Sequence, residues 1–390
     1  MSRAPGAIVV GGDYQGLGIV RSLGRRGVAV VVIDDERSIS RHSRYVESAY
    51  RFPDLRTDEQ TVSALLAVAD RTEVEGWVIY PTREETVAAL ARHRARLLEH
   101  FRIPTPEWSV TEWAWDKRKT YARANELGIP TPRSWHVRTE DELDSIDGDP
   151  PYVIKPAIKE HFFYATRCKA WRADTREELV ARFRAAAALV GTDEVVVQEL
   201  IPGDGETQLA YCAMFKADAP LASMLVKRLR QHPVEFGRAS TFVRTIDAPE
   251  VEEMSVRFLR SIGYYGLVEL EYKHDRRDGS TKLLDVNART WGYHSLGQRA
   301  GVDFPYVLYA DQVGLPVPSG VRARPGISWI RLATDLPTAG IELTRRRLDW
   351  RAYVRSLGVF DVESVFTRDD LRPGFAELGL LPYLAIKRGI

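Results

Sequence analysis

Residues 266–290 read GLVELEYKHDRRDGSTKLLDVNART, two runs of alternating apolar residues flanking the turn-rich HDRRDGS. The pattern predicts a β-hairpin. Centring it on Asp278 sets Glu271 opposite Asp285 and Glu269 opposite Asn287, and because strand side chains alternate, these four share one face with Arg289. Val268, Leu270, Leu284 and Val286 fall on the other. Acidic residues are poor strand formers and like charges across a ladder repel, so the arrangement costs stability unless a cation sits among the carboxylates. Oxygen donors without imidazole or thiolate suit magnesium better than zinc, and magnesium commonly takes one or two carboxylates together with nucleotide phosphates. A solvated acidic sheet face is the plain alternative.

Upstream, Lys155 sits in the apolar run YVIKP, where burial of its ammonium is costly without an anionic partner such as phosphate. Gln198 and Glu199 end the strand VVVQE and lead into LIPG, a strand-to-loop hinge whose main chain can pair with a purine edge. The N-terminal region reads strand AIVVGG, helix, strand VAVVVIDDE, helix over TVSALLAVAD, strand GWVIYP, then a helix opening at Glu84 and Glu85. Residues 1–112 therefore predict a doubly wound, Rossmann-like α/β domain. A second unit begins at DKRKTYARANELG, with Asp116 as helix cap and Gly128 as stop. Its strands and helices alternate less regularly, which indicates α+β over about 113–320, with 130–195 as a smaller subdomain and 196–320 as the core. Residues 321–390 predict an α+β extension that caps the site or forms a dimer.

The 390 residues carry 55 basic and 54 acidic side chains, so no global field recruits nucleic acid or an anionic membrane. No apolar stretch approaches the roughly 18 residues of a membrane span, and the chain's start does not read as a signal peptide. A cytoplasmic protein is the expectation. Cys168 and Cys212 form no CxxC pattern, against both a disulfide framework and a zinc site.

The order and spacing of these motifs over residues 1 to about 315 resemble the ATP-grasp superfamily. The resemblance implies an ATP-grasp fold behind a Rossmann-like domain and ATP with Mg²⁺ as cofactors. Lys117 and Lys155 would reach phosphate, Glu199 with the main chain of Leu200 and Ile201 the adenine, and Glu206 the ribose. Glu271, Asp285 and Asn287 would hold magnesium, and Arg289 would face the transferring phosphate. The usual glycine-rich lid is replaced by AIKEHFFYATRCKAW, where Lys169, with Lys159 or His161, would supply charge instead. The lid, RLRQHP and DVNARTWG look most like carboxylate-amine ligases near the D-aspartate ligases. The implied reaction activates a small carboxylate as its acyl phosphate and passes it to an amine, forming an amide bond.

In VKRLRQHPVEFGRASTFVR, Lys227, Arg228, Arg230, Arg238 and Arg244 surround a turn region suited to a carboxylate, with Arg230 and Arg244 as the leading candidates. His294 and Ser295 follow Arg289 closely enough to line the same pocket. Two competing readings are a nicotinamide oxidoreductase, because GGDYQGLG precedes Asp34 and Asp35 by about 20 residues, and a noncatalytic ATP-binding regulator. The first lacks the GxGxxG spacing and leaves the acidic hairpin unexplained.

Overall fold

The computed structural model describes residues 4–203, 205–237 and 239–388, without the side chains of residues 159–161, 384–385 and 387–388. Arg238 and the side chains of Lys159 and His161 thus lie outside the described residues. Five strands form the N-terminal parallel sheet: β1 (Ala7–Val10), β2 (Val30–Asp34), β3 (Ser48–Arg51), β4 (Trp77–Pro81) and β5 (Phe101–Arg102). Their order is β3-β2-β1-β4-β5, so the sheet reverses direction at β1, and a crevice opens beyond the strand ends there. Strands β1, β2 and β4 are buried on both faces, which is why they read as unbroken apolar runs.

A small antiparallel sheet follows, built from β6 (Ser134–Trp135), β7 (Tyr152–Pro156), β8 (Trp171–Ala173) and β9 (Val195–Glu199) in the order β6-β9-β7-β8. The larger sheet holds β10 (Gln208–Lys216), β11 (Ala219–His232), β12 (Ala239–Ile246), β13 (Gly266–His274) and β14 (Thr281–Asn287). From the last seventy residues it also takes β15 (Val321–Arg322), β16 (Ser328–Ile330) and β17 (Val362–Glu363). Its order is β14-β13-β10-β11-β12-β16-β17, with β15 beside β11. One face packs Ala210, Cys212, Met224 and Val243 toward the N-terminal domain through Trp291 and Phe304. The opposite face packs Tyr211, Phe215, Leu225 and Leu270 around Phe258 of the helix Pro249–Ser261.

The hairpin register is Glu269 opposite Asn287 and Glu271 opposite Asp285. The ladder then slips, so that Tyr272 faces Leu283 and Leu284 is left as the extra residue. A bulge changes which face a side chain takes. Leu283 fills the apolar core in place of Leu284, and Leu284 turns to the cavity wall beside Asp285, correcting the face that alternation assigns to it.

Candidate active site

A cavity of about 390 Å³ lies between the small sheet and the carboxylate face of the large one. The small sheet lines it with Lys155 and the stretch Gln198–Gly203, the large one with Gln208, Arg228, Glu271, Lys273 and Asp285. Lys117 enters from the first turn of the helix Lys117–Glu126, where the Asp116 carboxylate caps by accepting from the Arg118 N–H at 2.9 Å. Its Nζ lies 2.8 Å from Asp285 Oδ1, and both side chains are nearly buried. Lys155, only 9% exposed, donates to the Tyr121 hydroxyl at 2.6 Å and lies over that ring. Tyr121 in turn donates to the Leu284 carbonyl at 2.8 Å. Among the described residues no carboxylate pairs with Lys155, so a buried ammonium faces the cavity with a phenol as its partner.

The acidic ribbon is interleaved with protein cations. Arg228, buried on β11, reaches Glu271 Oε1 at 3.4 Å, and Arg289, partly buried beyond β14, donates to Asn287 Oδ1 at 3.2 Å and sits 2.8 Å from Glu84. Burial alone would lower both guanidinium pKa values, but the surrounding carboxylates outweigh it and raise them. Glu269 accepts from the Tyr293 hydroxyl and from the Asn287 amide, and burial, then the charge of Glu271, pushes it up to about 7. The like-charge cost is therefore met in part by Lys117, Arg228, Arg289 and the raised Glu269, which corrects the expectation that only a metal could meet it. Glu271, Asp285 and Asn287 still offer a donor set of hard oxygens with no imidazole or thiolate, and the two carboxylates line the cavity, so these residues fit magnesium carried with a phosphate chain. Asn287 lies one pleat deeper, its amide also donating to Glu271 at 3.3 Å.

At the hinge, the Glu199 carboxylate accepts from Lys282 at 2.9 Å, Arg277 at 2.7 Å and the Arg133 N–H at 3.0 Å. Burial opposes its ionisation, but Lys282 and these other donors hold its pKa below the usual range. The Leu200 N–H donates to the Pro151 carbonyl at 3.2 Å, while Lys273 braces the carbonyls of Ile201 and Gly203 at 2.8 Å.

Three expected site residues stand elsewhere. Arg230 makes a two-pronged pair with Asp335 at 2.8 Å, donates to Ser356, and is held against Phe242 and Tyr353. The bulges of β11 near residue 229 turn it to the C-terminal extension. Arg244 pairs in register with Lys227 and stands two residues before Ile246, on the face that carries Leu225 and Tyr211, so it lies opposite the carboxylates. Glu206 is exposed on the turn Gly205–Thr207 and does not line the cavity. Sequence reading undervalued Arg228, although its strand parity with Val226 and Ala210 gives the carboxylate face, and missed Tyr121, four residues after Lys117 on the same helix face.

A second cavity of about 310 Å³ opens where the N-terminal sheet reverses, lined by Gln15, Glu36, Arg83, Glu84, Tyr164 and Arg289. Lys169 lines both cavities and so stands at their junction. Residues 159–166, within the stretch that stands in place of a glycine-rich lid, form a helix. Its Tyr164 donates to Glu85 and lies under Arg56, roofing this second space. At the same strand ends Asp34, 3% exposed, accepts from the Gly12 N–H at 2.6 Å and pairs with Arg83 at 2.7 Å. The acid a nicotinamide ribose would need is thus bound into the protein, and a Cβ on Gly12 would meet Ser40 Oγ at 2.4 Å, so that glycine serves packing.

No protein-family model matches the chain. It is 24% identical over 300 residues to a D-aspartate ligase of Enterococcus faecium (strain Aus0004), covering 72% of this chain and 70% of that protein. Among solved structures, an L-amino acid ligase from Bacillus licheniformis superposes with a TM-score of 0.61 at 16% identity, over 82% of this chain and 76% of that one. N5-carboxyaminoimidazole synthetase from Staphylococcus aureus, solved with ADP, gives 0.66 at 15% identity over 88% and 87%. No helix among the described residues is long and apolar enough to cross a membrane.

Proposed function

We propose that this chain, which has the ATP-grasp fold, is an ADP-forming carboxylate-amine ligase that makes an amide or peptide bond through an acyl phosphate, with an amino acid as one substrate. The observation that carries the reading is Lys155, buried on the cavity wall with no acid partner among the described residues, beside Lys117 and opposite two carboxylates. A buried ammonium of this kind wants an anion, and across the same space stand two carboxylates, each beside a protein cation, whose remaining oxygens can take a metal ion. A nucleotide triphosphate with magnesium satisfies both.

In this reading the purine lies along Glu199–Ile201, pairing with main chain, since the Glu199 carboxylate and the Leu200 N–H are already engaged. Lys117, Lys155 and Lys169 hold the phosphates, and Glu271, Asp285 and Asn287 hold magnesium, which supplies neutralisation of phosphate charge. The substrate carboxylate occupies the second cavity beside Arg289. Its oxygen attacks the γ-phosphorus, the bond from that phosphorus to the β,γ-bridging oxygen breaks, and ADP leaves. The amine nitrogen then attacks the acyl carbon, the carbon-oxygen bond to phosphate breaks, and the amine's proton passes to solvent. Positioning and charge neutralisation do the catalysis, with no protein nucleophile.

The likeness to D-aspartate ligase supports an amino acid as a substrate. The test is ADP release by the purified chain with Mg²⁺ and ATP against paired amino acids and small carboxylic acids. Release that requires both an acid and an amine supports the reading; release independent of any pair, or none with any, counts against it.

A further inference from the structure

Of the residues expected beside Arg289, His294 and Ser295 line neither cavity of the candidate site but a separate space. The helix Glu84–Arg92 supplies neighbours in their place, and its first turn puts two acids on the wall of the second cavity. They are held differently. Glu84 lies 2.8 Å from the Arg289 guanidinium, so its charge is compensated within the protein. The other acids of this wall are paired as well, Asp13 with Arg331 at 3.6 Å, and Asp35 and Glu36 with Arg83 at 2.7 and 3.9 Å. Glu85 is the exception. It is 8% exposed, accepts from the Tyr164 hydroxyl at 2.5 Å, and has no cation at ion-pair distance among the described residues.

A carboxylate this far out of water, with one phenol as its partner, has its desolvation only partly repaid. The helix N-terminus favours an acid at this position but brings no counterion. The space Glu85 lines is the one that the proposed ligation gives to the substrate carboxylate, beside Arg289. Glu84 and Glu85 are consecutive, so the guanidinium held by the first and the unpaired acid of the second stand close together on one wall. A small molecule bearing both a carboxylate and an ammonium, an amino acid, meets both charges at once. The cavity, about 310 Å³ and roofed by Tyr164, is of the size small molecules occupy. We propose that Glu85 binds the ammonium group of the acid substrate, so that the acyl donor is a free amino acid rather than a simple carboxylic acid; the assignment rests on the ligase function proposed above. An ammonium paired with Glu85 carries no lone pair, so the donor's own nitrogen is kept from acting as the amine in the second step. Tyr164, which ties the helix Lys159–Thr166 to Glu85, serves as a positioning residue for that contact.

The test takes the substrate pair that the ADP-release screen identifies and replaces its acid by the des-amino analogue, succinate for aspartate or propionate for alanine. The wild-type chain should prefer the amino acid by about a hundredfold in kcat/KM, because the analogue leaves Glu85 unmatched. Glu85→Gln should raise KM for the amino acid by about tenfold with kcat within about threefold, leave KM for ATP unchanged, and narrow the preference over the analogue by about tenfold. Glutamine keeps the shape and still accepts from Tyr164, so the unliganded variant should unfold near the wild-type temperature, which separates lost recognition from lost fold. The proposal is overturned if the acid of the active pair carries no amino group or if the des-amino analogue serves equally well. It is equally overturned if Glu85→Gln lowers kcat/KM for both acids by the same factor, which makes Glu85 structural. A chain that is no ligase would instead release no ADP with any pair, and that result removes this proposal with it.

Discussion

Replacing Arg228 by methionine probes whether the acidic ribbon is held together by protein cations. The guanidinium is buried, 3.4 Å from Glu271 Oε1, and donates to Gln231 at 3.0 Å. Opposite charges at that separation attract by about 5 kcal/mol at an effective dielectric of about 20, and stripping one partner from a buried pair costs about 3–5 kcal/mol. Glu271 retains the Asn287 amide and some solvent contact, which places the expected loss near the lower figure, about 3 kcal/mol. Methionine keeps much of the stem's packing, so the loss is chiefly electrostatic. Urea unfolding in nucleotide-free buffer reads it directly. The double variant Arg228→Met with Glu271→Gln, in which the stranded charge is gone, should recover roughly half of the deficit. Losses that simply add in the double variant would refute the charge-compensation reasoning.

Arg230→Ala should lower stability by about 2–4 kcal/mol through the uncompensated Asp335, which is 1% exposed, while kcat/KM of the proposed ligation stays within about threefold. A hundredfold kinetic loss at unchanged stability would return Arg230 to the active site. Lys155→Met should cut ADP formation at least a hundredfold yet leave the unliganded protein as stable as the wild type or more so, because an uncompensated buried ammonium is removed; steady-state kinetics and thermal unfolding check the two halves. The depressed pKa of Glu199 fixes a sign. Its pairing with Lys282 and Arg277 stabilises the fold fully above its unfolded value near 4.3, and that contribution is lost as pH falls through the lower folded value. Glu199→Gln should accordingly flatten the stability profile between about pH 5 and pH 3; an unchanged acid limb would contradict it.

The hairpin register was legible because turn chemistry and period-two alternation act locally, and both cross-strand pairs around Glu271 follow from them. The bulge at Leu284 was not, since an extra residue leaves no mark in an alternating pattern whose neighbours Leu283 and Leu284 are the same residue type. Arg230 was misplaced for a related reason, whereas Arg244 stands in regular register opposite Lys227 on the face away from the carboxylates. Alternation along β11 holds to Arg228 and fails at the bulges beyond it, and the partner that claims Arg230, Asp335, lies 105 residues away. The helix over residues 159–166 is secured by long-range packing, Phe162 against Trp171 and Tyr164 against Arg56 and Glu85, that no local pattern shows. The Asp34–Gly12 contact and the close approach of Ser40 assign Gly12 to packing, which the sequence pattern alone does not show.

In the proposed reaction the substrate carboxylate takes the γ-phosphoryl group from ATP. Turnover of a carboxylate labelled with ¹⁸O at both oxygens, with phosphate analysed by mass spectrometry, tests it most directly. One labelled oxygen is expected in each phosphate released, alongside ADP and amide. Unlabelled phosphate, or AMP with pyrophosphate, would contradict it.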